Sequence, residues 1–274
     1  MPELPEVEIM TRNISNWFRD SQFEIEILDT RWLKRGNIEN IQGSVVRDVR
    51  RRAKYTLICF DEYCLILHFR MTGKMVPYQK ERKYRALFRA HHNTENTENT
   101  ETKEQGVYGF ADTRCLGEGY IISLSEEVLF FSKIGPEPWP QKLSGQQLQN
   151  CFHSKGNMAI KNALLQQDLI AGVGNILACE SLYHAHISPF CPIEKCSIDE
   201  WEQWSVALVA VIHLIIEKES SDEIAYISEG GENIFEVYGR EGQNCRKCQT
   251  TIVREKQAGR STFYCPTCQK NKIQ

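Results

Sequence analysis

Four cysteines near the end of the chain have the spacing Cys245-x2-Cys248-x16-Cys265-x2-Cys268. Each Cys-x-x-Cys turn can offer two thiolates to one ion, and a hairpin between the pairs would bring them together. That is the pattern of a closed, tetrahedral four-sulfur zinc site. A closed site leaves no position for a substrate, so the expected zinc is single and structural. The arm between the pairs, TTIVREKQAGRSTFY, carries Arg254, Lys256 and Arg260. A basic hairpin of this kind suits a nucleic-acid phosphate, or, on these residues alone, a ribbon for protein contacts.

A second pattern is QQDLIAGVGNILACESLY, in which a Gly-Val-Gly turn leads through Asn175 into a helical run. Backbone N–H groups at such a helix start favour an anion. The third is the opening MPELPEVE. Pro5, Glu6 and Glu8 suit the start of a helix, which leaves Pro2 and Glu3 to be explained. Methionine before proline is normally removed, and Pro2 would then carry a free secondary amine. An α-amino group titrates near 8 against about 10.4 for lysine, so its reactive fraction at neutral pH is roughly a hundredfold larger. Such an amine can attack a sugar C1′ and form an iminium, while Glu3 supplies or relays the proton.

These groups need elements to hold them. Residues 5–18 place Val7, Met10, Ile14, Trp17 and Phe18 on one helical face. Short alternating or apolar runs follow from about residue 22 to residue 131, among them YTLICF, CLILHF and GYIISL, which predict a β-sandwich or barrel. The polar run 93–105, NTENTENTETKEQ, is expected to be a disordered loop tip. KIGPEPWPQ (133–141) reads as a linker. Helical patterns then occupy LSGQQLQNCFH, MAIKNALLQQ, GNILACESLYHA and DEWEQWSVALVAVIHLIIEK, the last opened by a Ser197/Glu200 capping box. The organisation expected is residues 1–132, a linker at 133–141, a helical domain at 142–233 and a zinc finger at 234–274.

Bulk properties set limits. At 274 residues, with 41% hydrophobic and 25% charged, the chain has the composition of a globular protein large enough for two domains. The longest apolar run, ALVAVIHLII, is about half the roughly 18 residues a membrane span needs. The N-terminus lacks the basic and apolar regions of a secretory signal. A cytoplasmic protein is expected, with the other seven cysteines (59, 64, 115, 151, 179, 191 and 196) as buried or free thiols. The net charge of −3 argues mildly against a polyanionic partner, but it is unevenly spread. Arg47–Arg89 holds twelve Lys/Arg against four Asp/Glu, and the stretch from Arg240 to the end holds eight against two. Two such zones suit one phosphate-binding groove, or two solvated faces.

MPELPEVE, RRAKYTL, HFRMTGK, IAGVGNI and VYGREGQNCRKC…GRSTFYCPTC, in this order, resemble bacterial formamidopyrimidine-DNA glycosylases and their endonuclease VIII relatives. The resemblance implies an α+β protein: a catalytic β-sandwich with an N-terminal helix, a helix–two-turn–helix domain and a zinc-finger hairpin. It implies a monomer acting on damaged double-stranded DNA in the bacterial nucleoid, excising oxidised purines and then cleaving the strand by β,δ-elimination. By this likeness Pro2 is the Schiff-base nucleophile and Glu3 the catalytic acid, with Glu6 nearby. Lys54 reaches the phosphate beside the lesion, and Lys161, Asn175 and Arg260 contact further phosphates. Met71 is the wedge where the base is flipped out, and Arg114 faces the orphaned base. Two segments depart from the family. Its Asp-Pro-Arg-Arg-Phe-Gly loop is here DTRCLG (112–117), with Leu116 in place of the aromatic wedge, and the segment 219–236, which caps a flipped purine in the family, matches poorly. Leu4 stands where the endonuclease VIII group, which favours oxidised pyrimidines, usually has glycine. Two other readings are a DNA-lesion-binding module without chemistry and a zinc-ribbon interaction factor.

Overall fold

The computed structural model describes residues 2–92, 106–219 and 233–270. The described residues form two compact units, residues up to 132 together with Glu219 in the first, and residues 133–218 and 233–270 in the second. The first opens with helix α1 (Leu4–Phe18), which starts one residue earlier than its periodicity predicts because Glu3 takes the N-cap position, with Pro5 in the first turn. The Glu3 backbone N–H donates to Glu6 Oε2 at 2.8 Å in a capping-box arrangement. Glu3 therefore has a local structural task that the sequence reading did not assign to it.

Behind α1 lie two sheets. One has the order β1-β7-β8-β6, from β1 (Gln22–Ile27), β6 (Lys74–Pro77), β7 (Ala86–His91) and β8 (Gly106–Ala111). The other has the order β2-β9-β5-β4-β3, from β2 (Leu33–Arg35), β3 (Asp48–Arg52), β4 (Tyr55–Cys59), β5 (Tyr63–His68) and β9 (Glu118–Ser123). Every pairing is antiparallel except β2 with β9. β4 and β5 are buried on both faces, as their near-continuous apolar runs require. The core of this β-sandwich is an aromatic cluster in which Phe88 meets Phe18, Phe23 and Trp32 with ring centroids 5.9–6.5 Å apart. Gly119 is needed where it stands, since a Cβ there would lie 2.6 Å from the Trp32 ring. A short helix, α2 (Glu127–Phe130), closes the unit. The expected loop tip at 93–105 lies outside the described residues.

The second unit holds α3 (Gly145–Phe152), α4 (Ile160–Leu164), α5 (Asn175–His184) and α6 (Ile198–Glu219), then the hairpin β10 (Val253–Gln257) and β11 (Arg260–Tyr264). The Ser197/Glu200 capping box forms as the sequence indicates, with N···O distances of 2.9 and 3.2 Å. Residues 133–141, read as a linker, are instead docked on this unit. Gly135 N donates to Gln167 O, Pro136 O accepts from Ala171 N, and Trp139 is buried with its ring against His213. Among the described residues no helix is long and apolar enough to cross a membrane.

Phe88→Ala should remove the centre of the aromatic cluster and cost about 3–5 kcal/mol of stability. Urea unfolding, followed by tryptophan fluorescence, measures this as a lower midpoint.

Candidate active site and nucleic-acid interface

Besides the β3–β4 loop that carries Lys54, the expected site residues of the first unit lie on three pieces of chain. At the start of α1, Pro2 is buried, and Glu3 and Glu6 are only 2% and 4% exposed. Burial, reinforced by the charge of Glu3, pushes the Glu6 carboxyl up to about 8, so it is protonated at neutral pH. The next turns of α1 fasten it to the five-stranded sheet. Thr11 Oγ1 lies 2.6 Å from Thr56 Oγ1 on β4, and Glu8 Oε2 lies 3.1 Å from Arg51 Nε on β3. Arg51 also donates through Nη1 to Ala53 O at 2.9 Å. Ala53 and Lys54 form the two-residue loop between β3 and β4, with Ala53 in the left-handed region at φ 53°. Arg51 thus ties the loop that carries Lys54 to the helix that carries Pro2 and Glu3. The sequence reading missed this residue, whose signal was only one arginine among three in RRR. Lys54 itself is buried. Its charge, after burial and Arg70, helps hold the His68 imidazole down at about 3 and therefore neutral.

The second piece is the loop after β5 and the third is the DTRCLG loop between β8 and β9. The structure brings Met71 and Arg114 together, with Arg114 Nη1 2.9 Å from Met71 Sδ. Met71 and Leu116 are 40% and 43% exposed, within the range of other apolar side chains such as Leu28 and Val206, so exposure alone does not mark them. Their support comes from Asp112, the first residue of the DTRCLG loop, to which the sequence reading gave no task. Its Oδ1 accepts from Thr72 Oγ1 at 2.5 Å and Arg114 N at 3.2 Å, and its Oδ2 accepts from Gly117 N at 2.6 Å. Arg85, buried, reaches Gly117 O at 2.9 Å and the Asp112 carboxylate at 3.6 Å.

In the second unit the Gly-Val-Gly turn and the hairpin meet. Gly174 caps α5 and Asn175 opens it, and Asn175 Nδ2 donates to Ser261 O at 2.9 Å, one residue from Arg260. Gln167 braces the turn from within, donating to Val173 O at 2.8 Å and accepting from Gly172 N at 3.0 Å. Arg260 follows the tight Ala258-Gly259 turn, where both residues have positive φ, and it is exposed at the hairpin end. Lys161 differs from expectation in its setting: it is fully buried in α4.

The four cysteines converge. Their Sγ atoms lie within 4.8 Å of one another, and three of the separations are 3.4, 3.5 and 3.8 Å. A tetrahedral zinc with Zn–S bonds of about 2.3 Å requires S···S edges of about 3.8 Å, so the donor set fits one structural Zn2+. Tyr183 on α5 places its hydroxyl 3.3 Å from Cys245 Sγ and packs with Val237, Ile252 and Cys265. Glu180, one turn earlier, is a further residue missed from the sequence. This buried carboxylate accepts from the backbone N–H groups of Glu236, Val237 and Tyr238 at 2.9, 2.9 and 2.7 Å. Burial raises its pKa while those three N–H groups oppose the rise.

The basic zones prove less available than their sequence counts suggest. Arg47, Arg50, Arg51, Arg70, Arg85 and Arg89 are all paired with acids of their own unit, as are Arg246 and Arg254.

Residues 1–118 match the formamidopyrimidine-DNA glycosylase N-terminal domain, residues 134–224 its H2TH domain, and residues 242–271 the zinc finger found in FPG and IleRS. The chain is 31% identical over 279 residues to the formamidopyrimidine-DNA glycosylase of a Wolbachia from Drosophila simulans and 33% identical over 287 residues to that of Desulfitobacterium hafniense. Each match covers 98% of this chain and all of the relative. Solved structures similar to it include MutM with carbocyclic 8-oxo-G containing DNA, at TM-score 0.84 and 27% identity. Lactococcus lactis Fpg with abasic-site DNA follows at 0.83 and 26%, and both alignments cover 98% of this chain and all of the other. The chain belongs to the formamidopyrimidine-DNA glycosylase family.

Two outcomes follow from the geometry. Between pH 4.5 and about 8 the folded chain holds a proton on Glu6 that the unfolded chain has lost, so this group makes stability fall as pH rises through that window. Glu6→Gln keeps the capping acceptor and should lose that part of the decline, melting several degrees higher than wild type at pH 9 and about equally at pH 5. Thermal melts across this range measure the difference. Removing zinc with a chelator should abolish hydrogen-exchange protection across Val253–Tyr264, because the sulfur cluster closes that hairpin.

Proposed function

We propose that this protein is a bifunctional DNA glycosylase and abasic-site lyase that excises oxidised purines, 8-oxoguanine and formamidopyrimidines, from duplex DNA. The observation that carries the reading is the buried Pro2-Glu3 pair at the capped start of α1, tied through Glu8 and Arg51 to the loop bearing Lys54. Once Met1 is removed, the Pro2 nitrogen attacks C1′ and the bond from C1′ to the base breaks. Glu3 gives a proton to the sugar ring oxygen as it opens, leaving an iminium to Pro2. The iminium acidifies C2′, so loss of a C2′ proton expels the 3′ phosphate, and a second elimination expels the 5′ phosphate. A protonated Glu6 spares this buried centre one negative charge. Met71 and Leu116 fill the space left by the flipped base and offset part of an unstacking cost of about a few kcal/mol. Arg114 contacts the orphaned partner base.

Lys54, Lys161, Asn175 and Arg260 are assigned to phosphates in this reading. Asn175 and Arg260 receive support from the 2.9 Å link between the α5 start and β11. Zinc takes no part in the chemistry; held by Cys245, Cys248, Cys265 and Cys268, it shapes the hairpin that presents Arg260. We infer that the protein works as a monomer on the bacterial nucleoid, in the cytoplasm.

Borohydride should trap a covalent complex between the processed protein and duplex DNA containing 8-oxoguanine or an abasic site. Pro2→Gly, or an N-terminal extension, should weaken or abolish trapping while leaving lesion binding within about threefold. Absence of an adduct from a correctly processed N-terminus refutes the mechanism. Parallel excision assays on 8-oxoguanine, formamidopyrimidine and thymine glycol should give the fastest rates on the two purine lesions. A related structure, Lactococcus lactis Fpg with oxidised pyrimidine DNA, makes the third substrate a necessary comparison.

A further inference from the structure

A pair of thiols lies in the first unit at the end of β4 remote from the Lys54 loop. Cys59 and Cys64 are direct cross-strand partners on β4 and β5, both are buried, and their sulfurs are 3.5 Å apart. Phe60 N donates to Tyr63 O at 2.9 Å, so the neighbouring 60/63 pair is hydrogen-bonded. The Cys59/Cys64 pair therefore falls at a non-hydrogen-bonded position, where Cα atoms of antiparallel strands approach to about 4.5 Å. That spacing lies at the close end of the roughly 4.4–6.8 Å range that disulfides span. Bond formation needs the sulfurs to move about 1.5 Å closer, which side-chain rotation can provide without a change of strand register.

The two sulfurs are not equivalent. Arg50, on β3, places Nη1 3.5 Å from Cys59 Sγ. Its guanidinium is held there by Glu127 on α2 at 2.5 Å and by Asp48 at 3.8 Å, and it is partly exposed to solvent. The hydrogen bond from Cys64 and the charge of Arg50 hold the Cys59 thiol below the usual range against the opposing effect of burial. The hydrogen bond to Cys59 and burial push the Cys64 thiol up. One sulfur thus favours the thiolate and the other keeps its proton, which is the division of labour between an attacking and a resolving thiol.

We propose that Cys59 and Cys64 are a redox-active dithiol that closes to a reversible cross-strand disulfide when the protein meets hydrogen peroxide. The Cys59 thiolate attacks one peroxide oxygen and the O–O bond breaks. Cys59 becomes a sulfenic acid, and the other oxygen leaves as water after taking a proton. Cys64 sulfur then attacks the Cys59 sulfur and the S–O bond breaks. A second water leaves with the Cys64 proton, so two thiols are oxidised by two electrons and one peroxide is reduced to two waters. A dithiol reductant reverses the bond by exchange.

Both cysteines fall in one tryptic peptide, Tyr55–Arg70, so the test needs no variant. The zinc-loaded, reduced protein is treated with a small excess of hydrogen peroxide, alkylated and digested without reduction. The expected result is a Tyr55–Arg70 peptide that has lost two hydrogens, takes up no alkyl group and regains both sites after dithiothreitol. In Cys64→Ser, dimedone should label Cys59, whereas in Cys59→Ser it should leave Cys64 unlabelled. Arg50→Gln should slow closure about tenfold through loss of thiolate. Full alkylation of the peptide after peroxide, or closure only after the four zinc cysteines have been oxidised, overturns the proposal. Dimedone labelling of Cys64 rather than Cys59 overturns the assignment of roles.

Discussion

The fastening of α1 to the five-stranded sheet is the constraint on which the first unit depends. In the proposed mechanism Pro2 is the nucleophile, and its position depends on the helix it precedes. Here the Thr11–Thr56 and Glu8–Arg51 contacts supply that restraint within about three turns of Pro2. The second contact matters more than an ordinary ion pair, because both side chains are largely withdrawn from water and Arg51 also satisfies the Ala53 carbonyl. An exposed pair would contribute roughly 0–1 kcal/mol and fix little. A largely buried pair, once formed, is costly to break, since the remaining charge is left without its partner. Geometry at the N-terminus is therefore coupled to geometry at Lys54 through three consecutive links, and neither can shift without exposing a charge.

The second unit meets the same need by other means. The parts proposed to face phosphates are a glycine turn and a hairpin, the latter next to a small buried cluster of Tyr183, Val237, Ile252 and the cysteines. Zinc closes the hairpin, and Glu180 gathers three backbone N–H groups of the chain that leads into it. Three neutral donors converging on one carboxylate stabilise a buried charge without a cation. Asn175 then spans from the helix start to the hairpin backbone, so an anion at the α5 N-terminus and one at Arg260 would be held at a set spacing.

Much of this was legible in the sequence, for reasons that differ by element. The zinc site was plain because sulfur ligands require fixed spacing, and the capping box of α6 because its two partners are three residues apart. The sandwich was legible as a class from its apolar runs, but its strand order was not, since long-range pairing leaves no local pattern. Asp112, Arg51 and Glu180 were missed for one shared reason. Each ties backbone groups to a partner distant in sequence, and a lone charged residue in a strand, loop or helix carries no mark of that task. The charge count overstated how much of the positive charge is unpaired. Twelve basic residues between 47 and 89 suggested a surface for a polyanion, yet half of them are arginines neutralised by acids of their own unit. The linker was misread because Pro and Gly mark irregular backbone, whether free or docked.

The DTRCLG loop departs from the family pattern at the position proposed for the wedge, yet its backbone is firmly supported. The aromatic residue of the family loop brings a flat face for stacking, and leucine lacks it. A wedge must first, however, be held out in water against the tendency of apolar groups to collapse inward. The Asp112 carboxylate does this from below, binding Thr72 on one loop and the backbone of Arg114 and Gly117 on the other, while Arg85 neutralises it. Those bonds fix the backbone and leave the side chain at 116 free to vary. In the proposed role, leucine in place of phenylalanine at 116 would change how well the side chain fills a base step without moving the backbone that carries it.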